Sequence, residues 1–205
     1  MHEQAFTPKA ALLFPSFSRF KKFYLVGGTG LALQIGHRRS VDFDFFTAGE
    51  LPENLLSSVK RIFSTASIAV TYQSKEQLNV LVDGIKTTFF SYPYPVIDAF
   101  VKYQAIDIAS TNEIAAMKAL SIGHRLSYKD YVDWYFLLKE KHADLGSIIS
   151  LARRKFLGDF NDRLFLGQLV SLEDIPTQKI EFLRDAVDRL TIEQFLKTVV
   201  HDFKF

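Results

Sequence analysis

The stretch that most constrains this chain lies between Phe23 and Phe46, where an apolar run meets glycines and then a strictly alternating run. Phe23 to Val26 is short and wholly apolar, which reads as a buried strand. Gly27, Gly28 and Thr29 follow, and Leu31 to Ile35 has the apolar spacing of a short helix. Glycines at a strand-to-helix junction let the backbone come close to a ligand. The helix N-terminus then offers unbonded N–H groups and the positive end of its dipole to an anion. After the basic turn His37-Arg38-Arg39-Ser40 the residues alternate, so Phe43 and Phe45 face one side of a strand and Asp42 and Asp44 the other. Like charges on one face cost stability unless a cation or a basic partner offsets them. Beside an anion-cradling turn, the pair predicts a site for a hard divalent cation carrying a nucleotide triphosphate.

These residues carry a family resemblance. Gly27-Gly-Thr followed by His37-Arg-Arg-Ser-Val-Asp-Phe-Asp44 resembles the signature of the AbiEii/AbiGii-type nucleotidyltransferases, members of the DNA polymerase β superfamily. The resemblance implies that the glycine turn grips phosphates through Gly27, Gly28 and Thr29 with Arg38 nearby. It also implies that Asp42 and Asp44 hold Mg2+, with two ions possible, and that an NTP is the substrate. Many relatives of this kind carry a third carboxylate on the neighbouring strand, but here the candidate strand, Ile85 to Phe90, has Thr87 and Thr88 and no acid.

The chain of 205 residues suits one generous domain or two small ones sharing a core. Twenty phenylalanines are too many for the surface, so most must be core. With a net charge of only +2, any nucleic-acid contact must come from local patches. The chain lacks Cys, which excludes disulfides and thiolate zinc sites and fits a cytoplasmic location. No apolar run approaches membrane-spanning length, and the first thirty residues show no signal-peptide pattern, so a membrane partner is not expected.

Residues 1 to 22 predict a packing helix before the first strand. Beyond the acid pair, Glu53 to Phe63 predicts a helix, and Ile68–Gln73, Leu78–Val82 and Ile85–Phe90 predict strands. Asp83-Gly84 between the last two is a hairpin signal, since both central positions of such a turn favour positive φ. Tyr92-Pro-Tyr-Pro95 breaks the sheet pattern. The predicted division is therefore a mixed-sheet domain over 1–97, covered by helices on one face, and a helical domain over 98–205 closing over the nucleotide. The fold class is α+β: a polymerase β-like nucleotidyltransferase domain followed by a helical bundle.

Ser110-Thr-Asn-Glu113 is a capping box opening a helix, and Ser127-Tyr-Lys-Asp130 reads as a second one. Ala116-Met-Lys118-Ala-Leu and Arg125-Leu-Ser-Tyr-Lys129-Asp130-Tyr-Val-Asp133 resemble a second block of the same family. By that match Lys118, Arg125, Lys129, Asp130 and Asp133 line the cleft facing the metal. Asp130 and Asp133 stand one helical turn apart and share a face, so either is a candidate third metal ligand or general base. Asp130 also has a structural role open to it as the capping acid. Asp133, set in an apolar helix, calls for a cationic partner such as Lys118 or Arg125. Further helices are expected over 145–156, 160–170, 176–190 and 192–203. Arg153-Arg-Lys155 is a candidate RNA phosphate track or a solvated face.

The resemblance implies transfer of an NMP to an acceptor hydroxyl on RNA such as tRNA, or on protein. It also implies the toxin role in a toxin–antitoxin pair, with a cognate antitoxin as partner. The alternatives are a nucleotide- or partner-binding protein of the same fold and a small-molecule nucleotidyltransferase of the aminoglycoside type.

Overall fold

A computed structural model describes residues 1–122, 124 and 127–204. The first strand, β1 (Tyr24–Val26), runs directly into helix α2 (Gly27–Ile35), after a short opening helix α1 (Pro8–Leu13). Thr7 caps α1 by accepting from the Ala10 N–H at 3.2 Å, with Pro8 in the first position, where its missing N–H costs nothing. Strand β2 (Phe43–Thr47) buries Phe43, Phe45 and Thr47 and leaves Asp44 and Phe46 half-buried on the opposite face, as the alternation requires.

After α3 (Leu55–Ile62) come β3 (Ile68–Gln73), β4 (Gln77–Val82) and β5 (Ile85–Ser91). Asp83 and Gly84 have φ of 48° and 82°, the conformation expected of that tight hairpin. The chain then adds β6 (Val101–Tyr103) and β7 (Ile106–Ile108), which the sequence reading had not foreseen. All seven strands form one sheet of order β3-β4-β5-β2-β1-β7-β6; β2 with β5 and β1 with β7 run parallel, the other pairs antiparallel. β6 and β7 have only three residues each, too few to show an alternation, and they owe their place to β1, which lends β7 a parallel partner.

Helices cover both faces of the sheet, where cover on one was expected. On one side Phe6, Phe14, Phe17 and Phe20 lie over Phe43, Phe45 and Phe89, with Phe17 and Phe45 rings 4.6 Å apart; α3 completes this layer. On the other side pack α4 (Thr111–Ser121), α5 (Tyr128–Lys139), α6 (Leu145–Phe156), α7 (Asp162–Leu169) and α8 (Arg189–Asp202), around a core centred on Trp134.

Ser110 caps α4 by accepting from the Glu113 N–H at 3.1 Å. The Glu113 carboxylate instead accepts from the N–H groups of Ile97 and Asp98 and pairs with buried Lys155 at 2.8 Å. The second expected capping box is not formed: Ser127 makes no side-chain cap to α5, and the Asp130 carboxylate is turned inward to Lys118. The helix expected over 176–190 is absent as well, and α8 begins only after Asp188 caps it. The preceding segment is extended and pairs with the basic turn, through Arg39 N–H to Glu181 carbonyl (2.8 Å) and Leu183 N–H to His37 carbonyl (3.1 Å). These long-range bonds satisfy the backbone there and override local helical spacing. No described helix is long and apolar enough to cross a membrane.

Candidate active site

Where β1 gives way to α2, Gly27 adopts φ of +67°, and a Cβ built on it would lie 2.5 Å from Asp44 Oδ2. Only glycine lets the turn meet that carboxylate so closely. The register Val26↔Asp44 sets the acid beside the turn. The N-cap residue of α2, Val26, has no polar side chain with which to cap the first turn. Thr29 is buried; its hydroxyl donates to the Asp42 carbonyl and lies 2.8 Å from the Ser40 hydroxyl. It therefore ties the glycine turn to the segment that delivers the acids.

A cleft of about 390 Å³ opens between the sheet and α4, lined by Gly27 and Asp44 on one wall and Lys118 on the other. Asp42, half-buried, stands just before β2 and is not among the residues that line the cleft. Among the described residues no group of three or more His, Cys, Asp or Glu side chains is placed to hold a metal. Asp44 is level with Thr88 of β5, which also lines the cleft, so the neighbouring strand supplies a hydroxyl where a third acid was sought.

Asp130 and Asp133 do not fill that place, because both are sealed inside. Asp133 is wholly buried and accepts from His37 Nε2 (2.7 Å), Arg38 Nε (2.6 Å) and Arg38 Nη2 (3.0 Å), and it pairs with Lys118 Nζ (2.6 Å). Lys118 Nζ also reaches Asp130 Oδ1 at 2.6 Å. Burial alone would raise the Asp133 pKa, but the facing Arg38 and Lys118 charges and the His37 hydrogen bond outweigh it and hold the carboxyl well below its usual range. Burial lowers the His37 pKa below 6.5 despite the Asp133 contact. Among the described residues its buried Nδ1 has no hydrogen-bond partner, as suits a neutral ring donating from Nε2.

Arg38 was expected at the nucleotide. Its guanidinium instead backs the turn from beneath, with Nη2 2.6 Å from where a Gly28 Cβ would stand, and it is committed to Asp133. Lys129 is exposed and does not line the cleft, while Arg125 lies outside the described residues. The basic triplet does not act as one face: Lys155 is buried on Glu113, while Arg153, paired with Asp162, and Arg154 are exposed. Cleft residues that the sequence reading did not single out include Lys86, Phe90 and Met117. Lys86 and Phe90 share the cleft face with Thr88 by the alternation of β5, a signal that lay in the sequence once that strand's inner face was known.

A glycine turn, paired acids and a cleft on a mixed sheet define a nucleotidyltransferase-type fold, and comparisons with known proteins agree. A family model described as "Nucleotidyl transferase AbiEii toxin, Type IV TA system" matches residues 12–93. A curated relative from Aquifex aeolicus, uncharacterized protein aq_aa25, is 37% identical over 184 residues, covering 88% of this chain and 87% of the relative. The chain belongs to the AbiEii nucleotidyltransferase toxin family. Among solved structures, a proposed nucleotidyltransferase from Helicobacter pylori superposes with a TM-score of 0.61 at 19% identity, covering 95% of this chain and 96% of that one. The nucleotidyltransferase toxin MenT4 of Mycobacterium tuberculosis H37Rv gives 0.54 at 15% identity, covering 99% and 88%. At such identities these two likenesses speak for the fold alone.

Proposed function

We propose that this protein transfers an NMP from an NTP to an acceptor hydroxyl, with Asp42 and Asp44 as the acids that organise the reaction. The observation carrying this reading is the packing of the Asp44 carboxylate against Gly27 at the mouth of the cleft. The donor set suits magnesium, which is commonly held by one or two carboxylates together with substrate phosphates. Held by Asp42 and Asp44, the ion supplies charge neutralisation of the triphosphate and a lowered pKa for the attacking hydroxyl.

The chain's own groups do the positioning. The N–H groups at Gly27 and Gly28 meet the β- and γ-phosphates at the positive end of α2, with the Arg38 charge beneath them. Thr29 holds the turn and the Asp42 segment in one register. Lys118 lines the far wall and adds positive potential where pyrophosphate departs, while Asp130 and Asp133 keep its ammonium in place. Phe46, Phe90 and Met117 give the nucleobase an apolar seat. We place the protein in the cytoplasm as the toxin of a toxin–antitoxin pair, with RNA such as tRNA as acceptor and a cognate antitoxin as partner.

Incubation with each labelled NTP, magnesium and total tRNA, beside Asp42→Ala and Asp44→Ala variants, tests the reading. Label should move to RNA with the wild type only. Nucleotide binding retained by both variants, with no transfer in any sample, would overturn it. Thr88 standing level with Asp44 favours a second reading, a nucleotide-holding protein without turnover, and that same result would establish it.

A further inference from the structure

The cations around the cleft are not equivalent. Lys118 and Arg38 face Asp130 and Asp133, so two positive charges meet two carboxylates inside the protein. Lys86 differs: it is exposed, lines the same cleft, and forms no ion pair among the described residues. Its place in the sheet tells what it can meet. The sheet order sets β1 on one side of β2 and β5 on the other, so the glycine turn and Lys86 flank the acids from opposite sides. Continuing the β2–β5 register one residue beyond Phe43↔Thr87 brings Lys86 level with Asp42.

In-line displacement at the α-phosphorus puts the leaving pyrophosphate and the attacking hydroxyl on opposite sides of that atom. If the polyphosphate rests on the glycine turn, the acceptor must approach over β5 and β4. There it meets Lys86 and Thr88, whose neighbours on β4 are Leu81 and Asn79. We propose that Lys86 is a specificity-determining residue of the acceptor subsite, binding a backbone phosphate of an RNA acceptor next to its attacking hydroxyl. This deepens the nucleotidyl-transfer reading and rests on it for the direction of approach. An exposed ammonium with no ion pair among the described residues, set beside the Thr88 hydroxyl, suits a phosphodiester.

The test separates binding from turnover. A 5′-fluorescein-labelled single-stranded RNA dodecamer with a free 3′-hydroxyl is titrated by anisotropy against wild type, Lys86→Glu, Lys86→Ala and Lys86→Arg. A non-hydrolysable NTP analogue with magnesium is titrated in parallel. Lys86→Glu should weaken RNA binding about tenfold or more, Lys86→Arg should restore most of it, and analogue affinity should change less than about twofold. For Lys86→Ala the slope of log K against log salt should be shallower by about 0.7, the signature of one lost single-strand phosphate contact. Replacing the terminal phosphodiester of the RNA by a methylphosphonate should weaken wild type and leave Lys86→Ala unchanged. Loss of analogue binding instead would assign Lys86 to the donor and overturn the inference, as would unaltered RNA binding, absence of RNA binding by wild type, or capture of a protein acceptor independent of Lys86. If the binding pattern holds but no label is ever transferred, the catalytic reading fails, and with it the acceptor role, leaving Lys86 as an RNA-binding residue.

Discussion

Two sets of charges lie within one helix-width of each other in this protein and behave oppositely. The set on α4, α5 and the basic turn, Asp133 with His37, Arg38, Lys118 and Asp130, is buried and held together by ion pairs. The set at the sheet is half-buried or exposed: Asp44 and Lys86 line the cleft, and Asp42 stands just before β2. A buried charge is costly when left unpaired, whereas a charge at a cleft stays within reach of a ligand and of water. The first set therefore acts as a clamp that joins the helices to the turn, and the second is where chemistry can occur.

The largest expected effect breaks the clamp. Asp133→Ala strands Arg38 and Lys118 without their shared carboxylate and should cost about 3–5 kcal/mol. For a chain of this size that corresponds to a melting temperature lower by about 10 °C, measurable by calorimetry. Asp44→Asn should do the reverse. It should leave the melting temperature within a few degrees of wild type, yet lower transfer about a thousandfold, since several kcal/mol of charge stabilisation are lost at the reacting phosphate. A large stability loss in Asp44→Asn with little effect on transfer would erase the distinction between the two sets.

Gly27→Ala probes where the sets adjoin. A side chain at positive φ costs about 1–2 kcal/mol, and its Cβ also collides with Asp44 Oδ2. Both stability and transfer should fall, which the melting curve and the initial rate would read together.

The smallest effect is a pH dependence. The folded-state pKa of His37 is depressed, so the unfolded chain takes up a proton that the native protein refuses, and stability falls as pH drops below about 6.5. Asp133, also depressed, contributes stability present above about pH 4 and lost as pH falls below it. His37→Asn, which keeps a donor toward Asp133, should flatten the dependence of unfolding free energy on pH just below 6.5. His2 is shifted in the same direction, so the slope should shrink without vanishing.

Much of this was legible in the chain, and the limit follows the range of the interactions. Alternation over β2 set Asp44 on the face opposite Phe43 and Phe45, and Asp83-Gly84 marked the hairpin, because strand period and turn conformation are local properties. The fold class was read from the same patterns and the motif. The sealed cluster was only half legible: a buried acid in an apolar helix announced that Asp133 needed a cation, and Lys118 was named. Arg38, some 95 residues away in sequence, was assigned to the nucleotide instead.

Local pattern thus determined the strands, the glycine turn and the pair of acids beside it, since each depends on neighbours a few residues apart. Tertiary packing alone decided which charges face the cleft. It drew segment 176–188 across the basic turn in place of a helix, sealed Arg38 against Asp133, and left Lys86 open on the far side of the acids. The reason is that exposure and pairing are set by what the rest of the chain lays against a residue, and no short window of sequence contains that information.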